Sequence, residues 1–387
     1  VRVLITALPA FGHLYPVMPI AEALRARGHR VVLATGARAA QRLHRQGWEV
    51  HGLDVSTEQA AQQVVRGGLD FRRLAPAERW RFAVAMFAGV LATAVAAELA
   101  PALSALAPDL VLYEEMAAGA ALAAARASRP AVRHGIGPRM PAPMQEGFTE
   151  ELERSWRAGG GGAAPRDLAG RLHLDVWPES VPQPPTPLPL RTEALRPAAW
   201  SEPGLELPAL LAPGPRRRPV VYLTLGTVST REAATLRTVL EGLSALDVDV
   251  LAAVGTELDP ADLGPAHPSV HLAGFVPADR VFGRVDAVVH HGGSGTFLGA
   301  LAAGVPQLVL PQRAHDQFLN ARAAQEGGLG LALAPQEVSG AAVRDAVADL
   351  LGAPGHRERS LLAASRVAAM PAADEVAARL EVLAEHG

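Results

Sequence analysis

Residues 290–297 read HHGGSGTF, with the apolar run DAVV ahead of them and GALAAG after them. Apolar run, glycine-rich turn and Ala/Leu-rich segment have the order strand, turn, helix, and that order builds an anion site. The first turn of a helix carries N–H groups without intrahelical partners and the positive end of the macrodipole. Gly292, Gly293 and Gly295 lack the Cβ atoms that would hold phosphate oxygens off the backbone, while Ser294 and Thr296 add hydroxyl donors. A diphosphate suits this chemistry. A plain strand-to-helix turn is the alternative, because the spacing is close to a dinucleotide fingerprint without being one.

Other residues with chemistry stand at the ends of apolar runs. His13, in FGHLYP, follows the run VRVLIT, and Glu114 ends DLVLYE. An imidazole there can act as a general base near neutral pH, and a carboxylate beside it can orient and charge-stabilise the ring. A hydrogen-bonded loop histidine and a solvated carboxylate are the plainer readings. Gly226 and Thr227 end VVYLTLGT, where they would meet the phosphate loop from a neighbouring strand. Phe275 in GFVP suits stacking on a base while the backbone of Val276 reads its edge, or it packs in the core. Asp316 and Gln317, in HDQFLNA, could hold sugar hydroxyls or serve as a helix cap and its neighbour. Asp247 and Asp249 form a D-x-D of the kind that can hold a metal; at the start of a strand they read as a solvated edge. His290 and His291 have no third ligand nearby, so no metal site is expected.

The elements that position these groups follow from the patterning. VRVLIT, the helical VMPIAEALRARG and VVLATG make a βαβ opening, with Gly28 where a helix terminates. DLVLYEE and PAVRHGIG continue a parallel sheet, joined by AAGAALAAARA. From 177 to 219 proline is too frequent for helix interiors or central strands, which suggests a surface-hugging interdomain segment. After Pro219 the alternation restarts with VVYLTLGT, DVLAAVG, VHLAGFVP, DAVVHH and PQLVLP. A chain of 387 residues exceeds what one core usually serves. The expected organisation is an N-terminal domain over 1–205, a Pro/Arg-rich linker over 206–219 and a second domain over 220–370. A C-terminal helix over 371–387 is expected to pack back on the first domain. Two such layers facing each other would leave a deep cleft beyond the carboxyl ends of their strands.

Composition narrows the function classes. The net charge of −3, with GPRRRP the only tight basic cluster, argues against a nucleic-acid partner. With no cysteine, a thiolate nucleophile and a Cys-based zinc site are excluded. All 36 basic residues are arginine. VRVLIT is short for a signal segment, and AVAMFAGVLATAVAA at 83–97 comes nearest to a membrane span but stops at Glu98, so a buried or cleft-lining helix and a cytoplasmic protein are expected.

FGHLYPVMPIAEALRARGHRV, LTLGT, GFVP, HHGGSGTFLGALAAGVPQLVLP and DQFLNA together resemble the nucleotide-sugar-dependent glycosyltransferases of family 1, in the actinobacterial branch that decorates natural products. The resemblance covers nearly the whole chain and is weakest over 55–105 and 140–215. It implies the GT-B fold, two Rossmann-like domains with acceptor in the first and nucleotide sugar in the second. His13 matches the family's general base, and Glu114 stands where the family usually has an aspartate, one methylene shorter. His291, Gly293, Ser294, Gly295 and Thr296 match the pyrophosphate-binding residues, Phe275 and Val276 the base-binding segment, and Asp316 with Gln317 the sugar-hydroxyl pair. QRAH between Pro311 and Asp316 is one residue longer than usual, and Ala278 replaces the glutamine of plant relatives.

The implied reaction is inverting transfer of a deoxysugar from a nucleoside diphosphate, a dTDP-sugar ahead of a UDP-sugar, to a hydroxyl of an aglycone such as a polyketide. No cofactor or metal is expected. The partners are the nucleotide sugar and the aglycone, with a homodimer or an activator protein left open. A sugar-nucleotide epimerase and a non-catalytic aglycone-binding helper are the rivals. A nicotinamide dehydrogenase would want G-x-G-x-x-G after the first strand, where LPAFGHLYP has one glycine.

Overall fold

The computed structural model describes residues 1–386 apart from 76–77, 188–189, 227–232, 256–262, 264–266 and 313. It divides into two compact units, one of 1–177, 184–196 and 371–387, the other of 178–183 and 197–370.

The first unit holds a seven-stranded sheet in the order β3-β2-β1-β4-β5-β6-β7. Its strands are β1 (Arg2–Thr6), β2 (Arg30–Gly36), β3 (Glu49–Leu53), β4 (Leu110–Glu114), β5 (Ala131–His134), β6 (Leu172–Asp175) and β7 (Arg191–Ala194), and every pairing is parallel. Parallel sheets are covered on both faces, so their strands are apolar throughout rather than alternating. Val3, Leu4 and Ile5 are all buried for this reason. β7 lies inside the proline-rich stretch expected to hug the surface. It is an exposed edge strand, where missing donors are tolerated and Arg191 and Glu193 discourage further pairing.

The apolar stretch expected at 83–97 is part of a longer continuous helix, Trp80–Leu106, 27 residues that meet the length and composition of a membrane span. Its positions Ala88, Leu91, Ala92, Val95, Leu99 and Leu103 are buried in the core of this unit against Val111, Tyr113 and the helix Gly119–Arg126. A π-helical segment, Ala85–Leu91, interrupts its regular winding. The last helix, Ala373–His386, packs against the helix Met18–Ala26 in this same unit. Arg27 holds Asp374 at 3.1 Å and Glu381 at 2.5 Å, and His29 Nε2 lies 2.7 Å from Glu381.

The second unit repeats the plan with six strands in the order β10-β9-β8-β11-β12-β13. They are β8 (Val220–Thr224), β9 (Asp249–Ala253), β10 (Val270–Ala273), β11 (Ala287–His290), β12 (Gln307–Val309) and β13 (Gly330–Ala332), again all parallel. Residues 197–219 belong to this unit, so the chain leaves the first unit at 196–197, ahead of the expected linker at 206–219. The cause is packing: Leu211 is buried with Val220, Tyr222 and Phe282, and Arg216 donates to the carbonyl of Arg284 at 2.5 Å.

Candidate active site

In both sheets the strand order reverses beside the first strand, between β1 and β4 and between β8 and β11. Loops leaving neighbouring strands diverge at such a switch point, and the space beyond their carboxyl ends is where open α/β sheets bind ligands. The sequence candidates fall largely at these two places.

In the first unit His13 lies on the short helix Phe11–Leu14 that follows β1, and Glu114 is the last residue of β4. The imidazole Nδ1 is 3.1 Å from Glu114 Oε2, the carboxylate fully buried and the ring 21% exposed. The longer glutamate thus comes within ion-pair distance of the ring. Its other oxygen, Oε1, accepts the Met116 N–H at 2.7 Å, which fixes the carboxylate plane. A carboxylate can only accept, so it favours the neutral tautomer with the proton on Nδ1 and leaves the Nε2 lone pair as a base. Phe87, from the π-helical segment, sits with its ring 6.2 Å from the imidazole, among the half-buried Met86 and Val90.

Beyond the pair lies a row of buried polar groups that sequence patterning did not single out. Arg133 Nε donates to His173 Nδ1 at 2.9 Å, Arg139 holds Asp175 at 3.0 Å, and Ile136 N–H donates to Glu115 at 3.2 Å. Burial pushes Glu115 up to about 7 and His134 down to about 4. A signal existed: charged residues inside AVRH and LHLD, strands that are otherwise apolar.

In the second unit Gly226 follows β8 with φ +80°, a conformation that disfavours any side chain. A Cβ there would stand 2.9 Å from His291 Cε1, and one at Gly293 would stand 2.8 Å from His291 Nε2. The His291 ring is thus seated between two glycines. Thr227, the next candidate, lies outside the described residues. Gly293 is the N-cap of the helix Ser294–Ala302 and supplies no side-chain cap, which leaves the first-turn N–H groups of Ser294, Gly295 and Thr296 for a ligand.

His290 does different work. It is buried, its Nδ1 accepts the Gly292 N–H at 3.1 Å, and its Nε2 lies 2.9 Å from Gln307 Oε1. Burial, and next the adjacent His291, push it down to about 3, so it is neutral and structural. Asp316 and Gln317 open the helix His315–Glu326, whose start is brought to the loop at Gly292: a Cβ there would stand 2.9 Å from the Gln317 carbonyl. Asp316 is exposed, while Gln317 Oε1 accepts the Gln312 N–H at 2.9 Å. Asn320, one turn on, was not among the sequence candidates; it is buried and bonds both Gly292 O and Ser294 Oγ. Its spacing of four from Asp316 in DQFLNA, which shares one helix face, was the available signal.

Phe275, beyond β10, is 42% exposed and Val276 only 4%. The valine side chain is committed to the core with Val281 and Phe282, which leaves its backbone and the phenyl ring outward. Asp249 is not a solvated edge, because Arg218 pairs with it at 2.5 Å and lies 3.8 Å from the exposed Asp247.

Residues 22–192 match the N-terminal-domain model, and residues 237–383 the C-terminal-domain model, of the erythromycin biosynthesis protein CIII-like family. The chain belongs to this family of glycosyltransferases. The transferase is 33% identical to the elloramycin glycosyltransferase ElmGT of Streptomyces olivaceus, over 98% of this chain and 96% of the relative. It is 34% identical to the L-demethylnoviosyl transferase of Streptomyces niveus, over 96% and 95%. Its structure is similar to the crystal structure of glycosyltransferase VinC in complex with dTDP, with a TM-score of 0.82 and 25% identity over 100% of both chains. The fold is GT-B, as the resemblance implied.

Proposed function

We propose that this transferase moves a deoxysugar from a dTDP-sugar to a hydroxyl of a small natural-product aglycone, such as a polyketide, by direct displacement with inversion. The observation that carries the reading is the His13–Glu114 pair at 3.1 Å on the first switch point. His13 Nε2 takes the acceptor proton as the hydroxyl oxygen attacks the anomeric carbon, and Glu114 stabilises the imidazolium that forms. The bond to the diphosphate breaks as the new glycosidic bond forms. The charge left on the outer phosphate is met by His291, the Ser294 and Thr296 hydroxyls and the first-turn N–H groups. Phe275 and Val276 hold the base, and Asp316 with Gln317 the sugar hydroxyls, with Gly226 leaving room for His291. The apolar Phe87, Met86 and Val90 near His13 favour an apolar acceptor.

The dTDP assignment is supported by VinC, crystallised with dTDP, and by the TDP-daunosamine transferase DnrS of Streptomyces peucetius, 28% identical over 99% of this chain. The reaction needs no metal in this reading, and Asp249 of the D-x-D is already committed to Arg218 at 2.5 Å. It is assigned to the cytoplasm because a charged donor does not cross membranes unaided.

The test is product formation from dTDP-sugars and polyketide aglycones, with the anomeric configuration read by NMR. Retention would overturn the displacement step, and donor turnover without acceptor would point to an epimerase. Activity is expected to survive EDTA; a loss reversed by magnesium or manganese would refute the metal-free mechanism.

A further inference from the structure

Hydrogen-bond direction in the phosphate loop is fixed by groups that have no choice. Gly292 N–H can only donate, so His290 Nδ1, 3.1 Å away, must be the acceptor and Nε2 must carry the proton. Nε2–H then donates to Gln307 Oε1 at 2.9 Å, and the Gln307 amide donates onward to Phe297 O at 3.3 Å. On the other side, Gly292 O can only accept, so the Asn320 atom 2.6 Å from it must be the amide nitrogen. That same nitrogen is 3.0 Å from Ser294 Oγ. It occupies a lone pair of the hydroxyl and offers no acceptor to the hydroxyl proton.

We propose that Asn320 is a positioning residue that makes the Ser294 hydroxyl an obligate donor, aimed at the outer phosphate of the nucleoside diphosphate. With an N–H against Oγ, the serine O–H turns to a staggered position away from Asn320. Such a group donates to an anion and gains nothing from a ligand that is itself a donor. The polarity is set before the ligand arrives, so no hydroxyl reorientation is needed when the phosphate binds. The neutral, fully buried His290 holds the His291–Gly292 peptide by its N–H, while Asn320 holds the next peptide, Gly292–Gly293, by its carbonyl, so the two side chains brace successive peptides of the loop. The inference rests on the donor-site reading above.

Its test is a double-mutant cycle of Asn320→Ala and Ser294→Ala, with TDP and TMP affinities measured by calorimetry. Each single variant is expected to weaken TDP by about 10-fold, the loss of one hydrogen bond to a charged group. TMP is expected to change by less than about 2-fold, and in the Ser294→Ala background Asn320→Ala is expected to cost TDP almost nothing further. If Asn320 merely braces the loop, its cost persists undiminished in that background, and additive losses overturn the proposal. Equal losses for TMP and TDP overturn it as well. Should Asn320→Ala fail to fold, the near-isosteric Asn320→Asp in both Ser294 backgrounds reads the same coupling, about 10-fold expected and an absence of coupling fatal. A wild-type protein that binds neither TDP nor UDP would instead refute the donor-site reading itself.

Discussion

His13 and Glu114 differ in burial, and the difference sets what each substitution does. His13 is partly exposed, whereas Glu114 is sealed beneath it and, in the proposed mechanism, acts only through the ring. His13→Ala is expected to lower kcat by roughly 10²-fold or more with TDP affinity near wild type, because the base acts on the acceptor alone. An unchanged kcat would end its assignment as the base. Glu114→Gln is expected to cost less, since an amide oxygen can still orient the ring while the charge opposing the imidazolium is gone. Steady-state kinetics on both variants decides between them, and a loss for Glu114→Gln equal to that for His13→Ala would show that charge dominates orientation. Residues such as these were legible because they stand at the ends of apolar runs, where polar side chains are conspicuous. Asn320 offered only its spacing from Asp316, and Gln307 nothing, because an amide's worth depends on which backbone groups the fold brings against it. Neither the His290 tautomer nor the Asn320 orientation has any trace in the local sequence.

At the scale of elements, strand-to-helix turns convert chain direction into ligand geometry. Gly226 is where β8 must bend away so that the ring of His291 can sit against bare backbone. Gly226→Ala forces a side chain into a left-handed conformation, costing roughly 1–2 kcal/mol, and sets a methyl against the ring. The expected result is a small fall in melting temperature with a larger loss of TDP affinity; full TDP affinity would mean that His291 does not need this seat. The Ala373–His386 helix poses a different problem, since Arg27 binds it through partly exposed charges and His29 through a ring nitrogen 2.7 Å from Glu381. Exposed pairs are screened by salt. The stability gap between wild type and Arg27→Ala should therefore narrow in about 1 M sodium chloride, and urea titrations with and without salt measure it. A gap indifferent to salt would mean that packing, not charge, docks the helix. Periodicity and apolar runs revealed most strands and helices, but they placed the proline-rich segment wholly outside the sheet. β7 escaped because an edge strand lacks the apolar run that marks a buried one.

The molecule as a whole repeats one parallel layer with the same strand reversal; the repeat of the layer was readable from the restart of the βα alternation after Pro219, but the strand order was not. Where the chain passes between units was not, because that depends on side chains such as Leu211 finding a core. Burying polar groups at the ends of strands also gives the whole fold a pH dependence. His134 is pushed down to about 4, His290 to about 3 and His173 well below its ordinary value, each chiefly by burial. An unfolded histidine titrates near ~6.5. Each therefore takes up a proton on unfolding once the pH is below that value, and stability is lost as pH falls. Glu115 acts in the opposite sense. Burial raises it to about 7, so it keeps its proton in the fold and releases it on unfolding above ~4.3. Near pH ~5.5 these three uptakes and one release leave about two protons bound on unfolding, a slope of roughly 3 kcal/mol per pH unit, to which His315, also pushed down by burial, adds in the same sense. The histidines divide between the units, with His134, His173 and Glu115 in the first and His290 in the second. If the units melt separately, the first transition should carry about one proton and the second about one from His290 with a further part from His315. Calorimetric unfolding in buffers of different ionisation enthalpy counts these protons directly, and His134→Gln should remove about one from the first unit's transition. A stability that is flat between pH ~6 and ~5 would mean that these histidines are hydrated in the native protein, and the burial on which the argument rests would be wrong.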